Sequence, residues 1–201
     1  MELLGAIVPG EPLLVVALHL EAEHLSSGLP VLITGVGKLA AGQAVLRVLG
    51  SLEVNQRPSA LWNVGTAGSL QDHLVGTHLI GSVIQHDLDG PAIAALTGAD
   101  PSPPFTLGPG PVLATGDRFI ANDAERSLLA SRADLVDMEG YAVARAAHLM
   151  NIPVALIKQV SDGADAAAGE RWVDRVASCS EQLGQWLREH EPRGYIPSPS
   201  T

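Results

Sequence analysis

Three carboxylates in this chain stand behind apolar runs. Glu21 follows Leu13–Leu20, Glu139 follows Leu135–Met138, and Asp162 follows Pro153–Val160 with Ser161 between. An acid at the buried end of a strand loses its water, a cost that persists only where the acid is paired or used. Glu139 and Asp162 each have a plainer explanation as a helix N-cap or an acid in the first turn of a following helix, held by the helix dipole. Asp162 taken alone fits that explanation well. Three acids at three parallel strand ends would instead meet in one crevice, where carboxylates can move protons.

Other strand ends carry small or unusual residues. Gly35-Val36-Gly37-Lys38 suggests a phosphate loop, but it lacks the four residues between Gly and Gly-Lys, and Leu39 replaces Ser/Thr. It reads better as a tight strand-to-helix turn that brings backbone close to a ligand. Gly65-Thr66-Ala67-Gly68 can present amide groups to an anion or a sugar hydroxyl, or can be a plain turn. Gly116-Asp117-Arg118-Phe119-Ile120 follows a further strand. The seven histidines are scattered and give no compact metal cluster; His86 reads as structural. Cys179 is the single cysteine, which excludes an internal disulfide and any multi-cysteine metal site.

The elements that must position these groups alternate. Apolar runs at Leu13–Leu18, Val31–Thr34, Ala60–Val64, Thr77–Gln85, Val112–Thr115, Leu135–Met138 and Pro153–Val160 predict strands. Helices are expected over Leu20–Ser27, Lys38–Leu49 with Gly50 as its stop, Asn122 or Asp123 to Ser131, and Gly140–Met150. A last helix runs from near Ala166 to near Glu191. Its stripe is Trp172, Val176, Cys179, Leu183 and Trp186. Gly90–Gly110, with five prolines, reads as a loop. The pattern predicts an α/β fold: one three-layer αβα domain over 1–191, a mixed and largely parallel sheet, and a flexible tail over 192–201. Ligand groups in such sheets gather beyond the carboxyl ends of the strands.

Composition narrows the classes. The chain has 201 residues, of which 46% are hydrophobic and 17% charged, so it is long and apolar enough to bury a core without staples. Its formal charge of −10 argues against nucleic acid and anionic membrane as partners. No run reaches the roughly 18–20 apolar residues of a membrane span. The N-terminal stretch carries Glu2 and Glu11 and lacks the basic start of a secretory signal. A cytoplasmic location is expected.

Taken together, these segments resemble the purine nucleoside phosphorylase/nucleosidase superfamily, closest to the methylthioadenosine/S-adenosylhomocysteine nucleosidases. The matching stretches are Leu18–Ala22, Thr34–Ala41, Asn63–Gly68, His86–Asp89, Thr115–Ile120, Val136–Gly140 and Val160–Asp165, in the family's order. The resemblance implies a nucleoside-phosphorylase-like fold and a hydrolase that cleaves the N-glycosidic bond of a purine nucleoside, without cofactor or metal. It implies three catalytic residues: Asp162 as the acid at N7 of the leaving purine, Glu139 as the holder of the 2′- and 3′-hydroxyls, and Glu21 as the group that orients water. Glu23 is the alternative if the register is shifted by two. Phe119 would stack on the base, with backbone at Ile120 and Met138 and the residues Thr66, Ala67, Gly68 and Ser161 lining the substrate. Asp162 must then carry a proton in the complex, a demand that burial serves.

Some residues depart from the family. Lys158 stands where many nucleosidases have arginine, Gly140-Tyr141 replaces small residues, and a Pro-rich loop stands where a helix is expected. Lys158, inside an apolar strand, reads as one half of a buried pair with an acid, or else as a phosphate site. Related phosphorylases carry an arginine where this chain has Asn63, which favours water over phosphate as the nucleophile. The alternatives are a phosphorylase, a futalosine-type nucleosidase and a non-catalytic nucleoside binder. A homodimer is expected, from the resemblance and from the long segment holding Phe105.

Overall fold

The computed structural model describes residues 1–25, 28–164 and 172–190. The chain forms β1 (Glu2–Leu4), β2 (Leu13–Val16), α1 (His19–Ala22), β3 (Val31–Ile33), α2 (Lys38–Gly50), β4 (Leu61–Ser69), β5 (Thr77–Leu79) and β6 (Ser82–Gln85). It continues through α3 (Gly90–Thr97), β7 (Phe105–Thr106), β8 (Val112–Thr115), α4 (Asp123–Ala130), β9 (Leu135–Asp137), α5 (Gly140–Leu149), β10 (Val154–Asp162) and α6 (Trp172–His190). One mixed sheet runs β1-β3-β2-β4-β9-β8-β6-β7, and β10 lies against β4 and β5.

The two nine-residue strands, β4 and β10, pair in parallel from Val154↔Leu61 to Val160↔Ala67. They alternate between two apolar faces, as strands covered on both sides must. Leu61, Leu156, Leu13 and Val15 pack toward α2 and α5. Trp62, Val64, Ala155 and Ile157 pack toward α6 through Leu183 and Leu187. The sheet is thus a middle layer between helices, as the alternating pattern predicts.

Several elements differ from the sequence expectation. β4 continues through Gly65–Gly68, so these residues are strand and not a turn after it. Asp162 is likewise the last residue of β10 rather than a residue beyond it. The expected strand Thr77–Gln85 is two strands, because the chain changes neighbours at Ile80-Gly81. β5 pairs with β10, β6 with β8, and Gly110 backbone packs where a Gly81 side chain would be. Gly90–Gly110 is not a loop throughout. Asp89 caps α3 by accepting from the Ala92 amide at 3.1 Å, Pro91 fits the first turn, and Gly98 ends it with φ +77°. The first helix stops at Ala22, short of Ser27, and α2 includes Gly50. The start of the last helix near Ala166, Ser27 and the tail 192–201 lie outside the described residues, as does the side chain of Trp172. Of the remaining stripe, Val176, Cys179 and Leu183 are buried.

Candidate active site

Each carboxylate reaches the cleft by a different route. Glu21 sits in α1, a single turn after β2, with its side chain aimed back over β4. Its Oε2 accepts from the amides of Ala17 at 3.1 Å and Leu18 at 3.2 Å. Its Oε1 accepts from the Thr66 amide at 2.9 Å and hydroxyl at 3.1 Å. Gly65 lacks a side chain here of necessity, since a Cβ would come within 3.0 Å of Oε1. Glu23 is exposed and is not among the residues that line the cleft with Glu21.

Glu139 occupies the N-cap position of α5, yet its carboxylate does not cap that helix. It accepts instead from the Gly37 amide at 2.8 Å, across the cleft. Gly37 holds φ +95°, a left-handed conformation suited to glycine, and the Lys38 amide beside it donates to Asp117 at 2.8 Å. The Gly35–Lys38 turn is therefore a strap that delivers an amide to Glu139, not a phosphate loop. Burial pushes the Glu139 carboxyl up to about 8, and the charge of Asp137 adds to that; Lys158 and the Gly37 amide oppose it.

Asp162 stands at a bulge in β10 opposite Gly68. Its Oδ1 accepts from the Ala164 amide at 2.8 Å, and its Oδ2 lies 2.6 Å from the Ser161 hydroxyl. That hydroxyl also reaches the Ala67 carbonyl at 3.4 Å. A protonated Asp162 can donate to Ser161 while Ser161 donates to Ala67, so the pair serves either protonation state. Asp162 caps no helix among the described residues. Ala164, at φ +50°, closes the turn over Gly68, where a Cβ would meet Ala164 at 3.0 Å and Asp162 at 3.2 Å.

These routes end in one cleft, enclosing about 590 Å³ with the open solvent at its mouth included. All ten residues expected at the site line it: Glu21, Thr66, Ala67, Gly68, Phe119, Ile120, Met138, Glu139, Ser161 and Asp162. Phe119 is 49% exposed at the mouth, while Ile120 is buried. Sequence reasoning missed Ala17, Leu18, Val36, Arg118, Val136, Asp137 and Ala164 as lining residues. Val36 was legible as the residue between the two glycines of the strap. Val136 and Asp137 carry no local signal, because the pairing of β9 beside β4 brings them there, and Ala17 and Leu18 come from the turn between β2 and α1.

The cations near the cleft are engaged. Lys38 pairs with Asp87 and, at 3.6 Å, with Asp117; Arg118 pairs with Glu125; Lys158 pairs with Asp137 at 2.9 Å. The expected buried pair at Lys158 is thus present. Asn63 is buried and spends its amide on the Val15 carbonyl at 3.1 Å. His86 packs its ring against Gly116, in the space a side chain there would need. Among the described residues no group of three or more His, Cys, Asp or Glu side chains is gathered as a metal site requires, and no helix is long and apolar enough to cross a membrane.

Residues 105–189 match the family model of the phosphorylase superfamily. The 5′-methylthioadenosine/S-adenosylhomocysteine nucleosidase of Buchnera aphidicola is 26% identical over 181 residues, covering 77% of this chain and 76% of that protein. That of Shewanella oneidensis is 27% identical over 167 residues, covering 69% of each. Among solved structures, a mutant of the Helicobacter pylori nucleosidase with 5′-methylthioadenosine in its active site aligns with a TM-score of 0.77 at 18% identity. It covers 90% of this chain and 97% of that one. A futalosine hydrolase mutant from the same organism also aligns with a TM-score of 0.77, at 17% identity, covering 89% and 97%. At such identities the structural likeness is one of fold.

Proposed function

We propose that this chain, a member of the phosphorylase superfamily, is an N-glycosyl hydrolase acting on purine nucleosides of the methylthioadenosine/S-adenosylhomocysteine type. The observation that carries the reading is the meeting of Glu21, Glu139 and Asp162, from three separate elements, in one cleft with Phe119 at its mouth. In this reading Phe119 stacks on the base and the backbone at Ile120 reads its edge. Glu139, helped by the backbone at Met138, holds the ribose diol and faces the positive charge that builds at C1′. Water held by Glu21 attacks C1′, and its proton passes to that carboxylate. The electron pair of the C1′–N9 bond leaves with the purine, which takes a proton at N7 from Asp162. The products are free base and a ribose derivative.

Water rather than phosphate fits the charges. A phosphate dianion needs cations or several free amides. Here Lys38, Arg118 and Lys158 each face an acid, Asn63 is neutral, and the Thr66 donors already serve Glu21. We also propose a homodimer, supported by the exposed Leu39, Leu46 and Leu149 on α2 and α5. Phe105 no longer supports it, since that ring is buried within its own chain against Tyr141 at 5.3 Å. The lone, buried Cys179 suits a reducing compartment such as the cytoplasm.

The test is base release from a panel of methylthioadenosine, S-adenosylhomocysteine, 5′-deoxyadenosine, futalosine and inosine, with the sugar product identified with and without phosphate. Free sugar at a phosphate-independent rate is expected. Asp162→Asn should cost about 10²–10⁴ in rate with the fold retained, because an amide gives N7 no proton. Ribose-1-phosphate as the product would instead establish a phosphorylase. No release from any nucleoside, with ligand still bound, would establish a binder.

A further inference from the structure

A lysine in the interior gives up the water around its charge, so it stays charged only beside an acid. Lys158 lies within β10 with its side chain 2% exposed, and its ammonium meets Asp137 Oδ2 at 2.9 Å. Asp137, at the end of β9, is 1% exposed in its side chain. Its Oδ2 also accepts from the Gly140 amide at 2.8 Å, and its Oδ1 from the Thr115 hydroxyl at 2.5 Å. The Thr115 oxygen accepts in turn from the Tyr141 amide at 2.9 Å. The first two amides of α5 are thus tied to Asp137 and Thr115. Glu139, the residue before them, is fixed by that tie.

The same arrangement creates an electrostatic conflict. Asp137 and Glu139 are two residues apart, both buried, and Glu21 stands on the opposite wall. Two acids in a dry site cannot both ionise without a compensating charge. The groups acting on Glu139 are Asp137 from β9, Glu21 from α1, Lys158 from β10 and the Gly37 amide from the strap. Lys158 in turn feels Asp137, Glu139 and Glu21, and His86 beside β6 feels Asp137. Lys158 is the one cation among the groups that act on Glu139.

We propose that Lys158 is a positioning residue of this site: paired with Asp137 below the cleft, it supplies the counter-charge that lets Asp137 and Glu139 be ionised together, and so sets the pH above which Glu139 accepts a ribose diol. This rests on the nucleosidase reading for what Glu139 does. The electrostatic claim stands on the buried pair itself. Burial alone would lower the Lys158 pKa, but Asp137 and Glu139 outweigh it and hold it above the ordinary value, so the cation persists over the working range.

Two readouts test it. One is the pH profile of kcat/KM, and the other is the carboxyl carbon NMR titration of the ligand-free protein, with Glu139→Gln assigning the signal. The inflection belongs to the Asp137–Glu139 pair as a unit. Lys158→Met should move its last proton loss up by about one pH unit or more, Asp137→Asn should move it down, and Lys158→Arg should leave it in place. A purely structural lysine would lower stability and rate with the inflection unmoved in every folded variant, and that result overturns the proposal. Should Lys158→Met fail to fold, Lys158→Gln, which keeps a hydrogen-bond donor to Asp137 without the charge, decides: an upward shift supports the proposal and an unmoved inflection overturns it. A wild-type protein that cleaves no nucleoside would remove the nucleosidase reading, while the NMR titration would still judge the charge pairing.

Discussion

At the scale of single residues, Glu139 shows function set against stability. Its pKa stands near 8, raised first by burial and then by Asp137. A carboxyl raised on folding binds its proton more tightly in the native state. The stability it contributes is fully present below the unfolded value of 4.5 and is lost as pH rises through about 8. Glu139→Gln keeps the shape and an acceptor for the Gly37 amide but cannot ionise. Thermal melts of the two proteins should nearly coincide at pH 5 and separate by pH 9, with the glutamine variant higher by a few °C. Equal differences at both pH values would show that Glu139 does not carry a raised pKa. The three acids were legible in the sequence because each follows an apolar run. Their separate means of support were not, because most of the partners are backbone amides, such as those of Ala17, Gly37, Thr66 and Ala164, which any residue supplies.

At the scale of elements, apolar runs and caps were legible and changes of partner were not. Asn122 caps α4 as its residue type suggests, accepting from the Glu125 amide at 2.9 Å. The division of β5 from β6 was hidden because Thr77–Gln85 is continuous in strand-forming residues, and only Gly110 backbone packing on Gly81 breaks it. The Pro-rich segment misled because its prolines sit outside α3 or in its first turn, where they are tolerated. Gly140-Tyr141, where the resemblance leads one to expect small residues, has a local reason. Tyr141 donates its hydroxyl to the Pro103 carbonyl at 3.0 Å and packs on Phe105, which holds that segment to α5. Gly140 leaves room for its neighbours, since a Cβ would lie 2.7 Å from Leu113 and 2.9 Å from Asp137. Gly140→Ala should therefore lower the melting temperature by roughly 5 °C or more through overpacking, and should reduce turnover by shifting the carboxylate that ties down α5. Gly50→Ala, with nothing within 4 Å, is the control and should be neutral or slightly stabilising. Equal melting temperatures for the two variants would remove the tight contact at Gly140.

At the scale of the whole molecule, the α2–α5 layer faces outward with more apolar surface than a solvated face needs. Leu39 is 71% exposed and Leu149 56%, and both border a shallow groove with Leu46, Tyr141 and Ala142. Burying one leucine side chain contributes about 1.5–3 kcal/mol, and a two-fold interface counts each residue twice. A second copy set on this face would cover all three leucines in both chains. The net charge of −10 opposes such a contact at long range, so an apolar centre is where it must gain its stability. The same groove includes Lys38 and Asp117, which anchor the strap that gives the Gly37 amide to Glu139. Association here would stiffen that strap, linking oligomeric state to the cleft. Light scattering at micromolar concentration should give twice the 20.9 kDa chain mass. Leu39→Glu with Leu149→Glu places four acids in the contact and should give a monomer with an unchanged circular dichroism spectrum. Its kcat/KM should fall while the melting temperature of the isolated chain changes little. A wild-type mass of one chain would remove the dimer. A doubled mass that survives both substitutions would move the contact to another face.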